Sequence, residues 1–425
     1  MTHSSKQHLR RTQWTIFGLV IVAYMLSFFH RVAPAALSTD LQASFSATSA
    51  QLGIIAAVFF FVIMLMQIPT GIMADTLGSR KILGFGCAVA AAGCFVFASA
   101  HNVLLASIGR GLIGFGAAIP FVALLRLNAS WFAATQFATL SGLTILFGNL
   151  GAILSTSPLE ILSHTIGWRP IIAVSGILTA LIGTLIIWFV RDKPADYGLP
   201  SPDGAANYNS DIHKKIPWQN QLSTVIRNRD TWPCFWVGFG ICGTFFTFTS
   251  LWGVPYLMQT LGISKQQAAA HILVMIFCHS LTALFLGRAS DRMENRKGLL
   301  LCLATLYVVM WIPMLAGLHV FTGASFLIFA LQGIGSTSYT LIWAIAKEVN
   351  PVQSAGMAIG VTNTSMFLAA AILQPVIGFI IDRNPTNGML FGVGLLTVVS
   401  VFGLIYGLKL VETYGHNIYA KRFNK

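Results

Sequence analysis

Residues 71–81 read GIMADTLGSRK, and residues 287–297 read GRASDRMENRK. Gly71, Asp75, Arg80 and Lys81 map onto Gly287, Asp291, Arg296 and Lys297, each at an offset of 216. In a chain of 425 residues that is close to half the length. A motif returning at half-chain register marks a duplicated architecture, two halves built on one plan.

The surroundings of the two copies define that plan. Windows of about 20 apolar residues mark membrane helices. Twelve occur, at roughly 14–37, 49–74, 82–100, 103–127, 137–157, 170–190, 232–259, 267–287, 298–318, 321–346, 354–381 and 389–410. Each copy of the motif follows the second window of its half. The longest polar interruption, about 191–231, is rich in Pro, Gly, Asn and Asp, a linker composition. The expected organisation is an N-terminal six-helix bundle (1–190), a cytoplasmic linker (191–231) and a C-terminal six-helix bundle (232–425). The fold class is all-α membrane protein, twelve transmembrane helices in two pseudo-symmetric six-helix bundles.

Composition points the same way. The chain is 55% hydrophobic and 9% charged, against about 25% charged in soluble proteins. The net charge of +13 reads as topology. With the N-terminus inside, the inside segments hold 20 Lys and Arg, the outside loops hold 3, and 3 lie within spans. That bias places both termini and the linker in the cytoplasm of a multi-pass inner (cytoplasmic) membrane protein. The basic residues occupy short loops and form no aromatic-interleaved stripe, so nucleic acid is not an expected partner. The N-terminal MTHSSKQHLRRTQW has a signal peptide's outline but no small-x-small cleavage pattern, and reads as the start of a retained helix. The six cysteines lie in apolar runs without metal spacing and read as packing residues.

The repeated loop suits a switch. Glycine permits close helix approach, the aspartate can cap a turn or pair with arginine, and the Arg-Lys pair sits at the anionic lipid headgroups. One reading is topology anchoring alone. The other is a latch between the halves, formed by Gly71, Asp75, Arg80, Lys81, Gly287, Asp291, Arg296 and Lys297.

GIMADTLGSRK resembles the signature loop of the major facilitator superfamily, matching at Gly71, Ala74, Asp75, Gly78, Arg80 and Lys81 and departing at Met73 and Thr76. RGLIGFGAA from Arg110 resembles the family's fourth-helix motif, and GWRP at 167–170 is typical before helix six. With twelve spans and the repeat, the resemblance covers essentially the whole chain. It implies two bundles around a central cavity, rocking in alternating access. The Gly-Pro kink of drug antiporters is absent from helix five, which counts against drug export.

Three cations fall within spans: Arg31, Arg110 and Arg126. An intramembrane charge is by default functional. No acidic residue lies mid-span. Arg110 belongs to the fourth-helix motif, which implies helix packing, backbone hydrogen bonding and a part in proton coupling. Arg126, near a helix end, either snorkels to the headgroups or marks the cavity mouth. Arg31 is the main candidate. Tyr24, Phe28 and Arg31 step by four and three, one helical face. Its position resembles the first-helix arginine of the family's organic-anion symporters and organophosphate exchangers, which binds carboxylate or phosphate; the guanidinium fork suits both. The alternative is a helix-end arginine reaching periplasmic water. Exchangers carry a second arginine in the matching helix. Here the position is Thr247, which favours a singly charged anion or a zwitterion.

His30, beside Arg31, is the candidate proton site; the alternative is a packing histidine. In the C-terminal half, Trp252 and Tyr256 on helix seven, Gln332, Ser336 and Tyr339 on helix ten, and Asn363 on helix eleven are expected to contact substrate. Gln332, Ser336, Tyr339 and Trp343 step by 4, 3 and 4, one face of a helix. The expected function is secondary active transport of a small organic anion or zwitterion, proton-coupled and inward, by a monomer in membrane lipid, with no metal and no cofactor. An exporter and a non-transporting membrane sensor of the same fold are the alternatives. No Ser/His/Asp or metal arrangement argues for an enzyme.

Overall fold

The structure, a computed structural model, describes residues 3–133, 136–199, 217–316 and 322–420. Its twelve membrane-length segments are α1 (Gln7–Ala36), α2 (Ser49–Ala74), α3 (Ser79–Ser99), α4 (Val103–Trp131), α5 (Gly142–Ile166), α6 (Trp168–Phe189), α7 (Thr231–Leu261), α8 (Lys265–Met293), α9 (Arg296–Leu315), α10 (Ala324–Glu348), α11 (Val352–Arg383) and α12 (Gly388–Leu408). Among the described residues there is no strand. Twelve crossings put both ends of the chain on one face, called here the terminal face; the opposite one is the far face.

The duplication runs deeper than the signature loops. Thr48 accepts from the Gln51 amide while the Gln51 side chain accepts from the Thr48 amide, a capping box that starts α2. Ser264 and Gln267 make the same box at the start of α8, again 216 residues on. Both halves therefore launch their second helix by one local device.

Within the N-terminal bundle, small residues let backbones meet, as packing in lipid requires. A Cβ on Gly114 of α4 would lie 2.7 Å from the Phe59 carbonyl oxygen of α2, so only glycine fits. Cys87 and Cys94 of α3 fill the space against Gly183 and Gly176 of α6; these two, at least, are packing residues.

The bundles meet closely on the far face. A Cβ on Gly53 of α2 would lie 2.6 Å from the Gln374 carbonyl oxygen, and one on Gly378 of α11 would lie 2.3 Å from that of Ser49. Asp382, at the end of α11, accepts from the backbone amides of Ser49 (2.8 Å) and Ala50 (2.9 Å), two unpaired donors of the first turn of α2. Lys265 at the start of α8 pairs with Asp40 across the same seam, at 2.5 Å.

Helix irregularities set which faces look inward. Segment α4 is broken before Pro120, and α7 contains two π-helical turns, Gly238–Cys242 and Phe248–Trp252. Segment α10 tightens to a 3-10 turn at Thr337–Thr340. Where the sequence suggests a fifth span ending near 157, the chain turns briefly and a second helix, Ser157–Ile166, continues it.

Candidate functional site

The signature loops bond each bundle together around the site. The Arg80 side chain donates through Nε (2.9 Å) and Nη2 (2.5 Å) to the Ile187 carbonyl, near the end of α6. Its backbone amide donates to Asp192, just past α6, at 2.9 Å. The second half repeats the arrangement. Lys297 Nζ donates to the Leu408 carbonyl at the end of α12 (2.8 Å), and Glu412, just past α12, accepts from the amides of Arg296 (3.0 Å) and Lys297 (2.7 Å). A cation thus meets the negative end of the sixth helix, and a carboxylate meets the positive end of the third. Arg296 also pairs with Asp291 (2.9 Å) and Glu348 (2.8 Å). In this conformation these bonds staple each bundle internally and do not cross between bundles. Gly71 and Gly287 have no atom within 4 Å of a built Cβ, so neither marks a close helix approach here. The Asp75 side chain lies outside the described residues.

Between the bundles is a cavity of about 90 Å³, several times the roughly 10–15 Å³ that one water needs. Tyr24, Phe28 and Arg31 of α1 all line it, as their shared face requires. Tyr339 and Asn363 line it too, together with Gln67, Asn149, His279, Thr340 and Trp343. Among the described residues no acidic side chain lines it.

Arg31 is 7% exposed. Its guanidinium carbon lies 4.1 Å from the Phe28 ring centroid, 5.1 Å from Phe246 and 5.4 Å from Phe367. Phe28 belongs to the first bundle and the other two to the second, so the cation sits at the junction, in an aromatic cage. Among the described residues it makes no ion pair or hydrogen bond, and its Nε is buried without a partner. Phe246 and Phe367 escaped the sequence reading. Nothing in their local pattern separates a cage phenylalanine from a lipid-facing one.

Arg110 is also buried but differently held, and its Nε and Nη2 are without a partner. Its Nη1 donates to the His30 carbonyl at 2.8 Å, and its guanidinium lies 4.5 Å from the Phe59 ring. The carbonyl has a reason to be available. In α1 the residue four positions on is Pro34, which has no N–H to give. Arg110 fills the hydrogen bond that the proline leaves open. It does not line the cavity.

Five further expected contacts also lie off the cavity wall. His30 is one residue from Arg31, so it points about 100° away around the helix; its Nε2 lies 3.5 Å from Cys94 of α3 and its Nδ1 is buried unpaired. Trp252 donates to the Gln374 carbonyl (3.1 Å) and Tyr256 to that of Met314 (2.8 Å), both packing contacts within the second bundle. Trp252 ends the second π turn of α7 and Tyr256 follows it; the turn holds an extra residue and rotates what comes after. Gln332 is fully buried with both amide atoms unpaired, and Ser336 backs His279 at 2.8 Å. The 3-10 turn advances each residue about 20° more than an α-helix does, so Tyr339 within it and Trp343 beyond it turn away from the line of Gln332.

Known proteins place this arrangement. The family model of the Major Facilitator Superfamily matches residues 16–253 and 242–418. The chain is 22% identical to the probable sulfoacetate transporter SauU of Cupriavidus necator, over 94% of this chain and 96% of that protein. It is 24% identical to the probable galactarate/D-glucarate transporter GudP of Bacillus subtilis, over 92% and 91%. A crystal structure of a bacterial homologue of the human lysosomal transporter Spinster, inward-facing and unoccupied, superposes with a TM-score of 0.72 at 14% identity, covering 94% of this chain and 98% of that one; this likeness concerns the fold alone. The twelve helices, the duplicated plan and the family match agree: the chain belongs to the Major Facilitator Superfamily, a multi-pass membrane transporter and not an enzyme.

Proposed function

We propose that the protein moves a small organic anion across the cytoplasmic membrane by alternating access, with Arg31 as the anion clamp. One observation carries this reading: a guanidinium buried between the bundles, with neither a carboxylate partner nor an acidic side chain on the cavity wall among the described residues. A buried cation is costly unless paired, and an arriving carboxylate or sulfonate supplies the missing partner bidentately. Relatives named for sulfoacetate and for galactarate or D-glucarate support the anionic class. Without a second fixed cation at Thr247, a singly charged group at Arg31 suffices.

The far-face contacts, Asp382 on α2 and Lys265 on Asp40, act as the gate that opens when the bundles rock. The intrabundle staples keep each bundle rigid while it does so. The terminal face is cytoplasmic on the charge bias. Import with a proton is the finer expectation, and the proton gradient in the experiment tests it.

The experiment is uptake into proteoliposomes of labelled carboxylates and sulfonates, with and without an inward proton gradient. Accumulation of an acid that Arg31→Lys lowers at least tenfold, at unchanged protein level, supports the proposal. Accumulation of lipophilic cations in place of acids would point to an exporter. Binding of acids without movement would point to a sensor.

A further inference from the structure

We infer that His279 is the second substrate contact, and that it selects anions carrying a hydroxyl group over their unsubstituted analogues. The inference rests on the anion reading above and assigns the other end of the ligand.

The hydrogen-bond arithmetic around the ring is determinate. His279 Nδ1 lies 2.8 Å from Ser336 Oγ, and that same Oγ lies 2.6 Å from the Gly333 carbonyl oxygen. A carbonyl only accepts, and a serine hydroxyl has one proton. The serine proton therefore goes to Gly333, and Oγ accepts from Nδ1–H. A neutral imidazole with its proton on Nδ1 carries a lone pair on Nε2. Among the described residues no acidic side chain lines the cavity, and the cation that shares its wall is Arg31. Of the other ionisable groups, Tyr339 of α10 stacks on the ring, Tyr24 of α1 lines the same cavity, and Cys278 is adjacent in the chain.

The ring is held in place. It stacks between Phe245 (centroids 4.8 Å apart, 24° between planes) and Tyr339 (5.6 Å, 16°). Its Nδ1 is fixed by Ser336, and Nε2 makes no recorded hydrogen bond among the described residues. His279 is 4% exposed and lines the same cavity as Arg31. One bundle thus presents a donor fork and the other a fixed acceptor. A ligand that fills the cavity without a donor leaves Nε2 desolvated and unpaired, and a buried unpaired acceptor is strongly disfavoured. Sites built to pair with a substrate hydroxyl reject the analogue that lacks it.

The test measures affinities of the purified full chain for lactate against propionate and for gluconate against hexanoate, by ligand-induced thermal stabilisation. The wild type is expected to favour the hydroxylated member by roughly tenfold or more. His279→Gln sets an amide oxygen near the place of Nε2 and should keep most of that preference. His279→Phe should abolish it while acids still bind. Equal affinity of the wild type within both pairs, or a preference that survives in His279→Phe, overturns the inference and leaves the anion reading intact. No binding of any acid by the wild type overturns both. The wild-type ratio decides by itself should a variant fail to fold.

Discussion

Arg31 on α1 and Arg110 packed against α1 are both buried arginines, and they differ in what holds them. Arg110 is tied to a backbone carbonyl that Pro34 leaves open. Arg31 is ringed by three phenylalanines from two bundles and makes no hydrogen bond among the described residues. Arg110 also keeps Nε and Nη2 buried without a partner, so what separates the two is position: Arg110 is bonded to a neighbouring helix off the cavity and is architecture, whereas Arg31 stands on the cavity wall with no hydrogen bond among the described residues and is a site. The two should therefore respond in opposite ways to substitution.

The largest effect falls on binding. Arg31→Gln should cost about 1.5–3 kcal/mol of anion affinity, roughly 10- to 150-fold, for the lost charge-assisted hydrogen bonds. It should also raise the melting temperature of the unliganded protein, because an uncompensated buried charge disappears. Calorimetric binding and thermal unfolding read the two together. Arg110→Met should do the reverse, lowering stability by about 2 kcal/mol through the orphaned His30 carbonyl and sparing the affinity of the molecules that fold.

The pairing with Pro34 can be broken more finely. Pro34→Ala returns an N–H to the helix and offers the His30 carbonyl its usual partner. The double variant Arg110→Met with Pro34→Ala should recover about 1 kcal/mol relative to additivity in a double-mutant cycle. Strict additivity would mean that Arg110 does not compensate the proline.

Smaller still is the far-face seam. Asp382→Ala removes the carboxylate from two amides at the start of α2 and should cost about 1 kcal/mol locally. Hydrogen exchange of residues 49–53 should speed up several-fold, with the first bundle's interior unchanged. The smallest effect concerns Glu412. Burial raises its pKa, but the amides of Tyr414, Lys297, Arg296 and Thr413 outweigh this and hold it below the usual glutamate value. A depressed carboxylate contributes stability above its unfolded pKa and loses it as pH falls through the folded one. Wild type should therefore exceed Glu412→Gln in melting temperature at neutral pH by a small margin, and that margin should close only in acid, below the ordinary glutamate range.

Much of this was legible without coordinates, and the boundary has a physical cause. The twelve spans follow from the length a bilayer demands, and the two-fold plan from the 216-residue register of the signature loops. The capping boxes at Thr48 and Ser264 obey the same register, an agreement first seen in the structure. On α1 a regular helix carries Tyr24, Phe28 and Arg31 into the cavity together, so periodicity was a sound guide. On α7 and α10 it was not. Two π turns and one 3-10 turn change the angular step, so Trp252, Tyr256, Gln332 and Ser336 leave the wall while Tyr339 stays. The role of Arg110 was half legible. Its backbone bonding was implied by the family motif, but its partner lies on another helix, 80 residues away.

Anion binding at Arg31 is tested most directly by titrating the purified wild type and Arg31→Gln, side by side, with a series of small carboxylates and sulfonates in a calorimeter. Saturable binding of at least one anion to the wild type, weakened tenfold or more in a variant that remains folded, is the predicted result. Equal binding by the two proteins, or wild-type binding confined to neutral or cationic solutes, would contradict it.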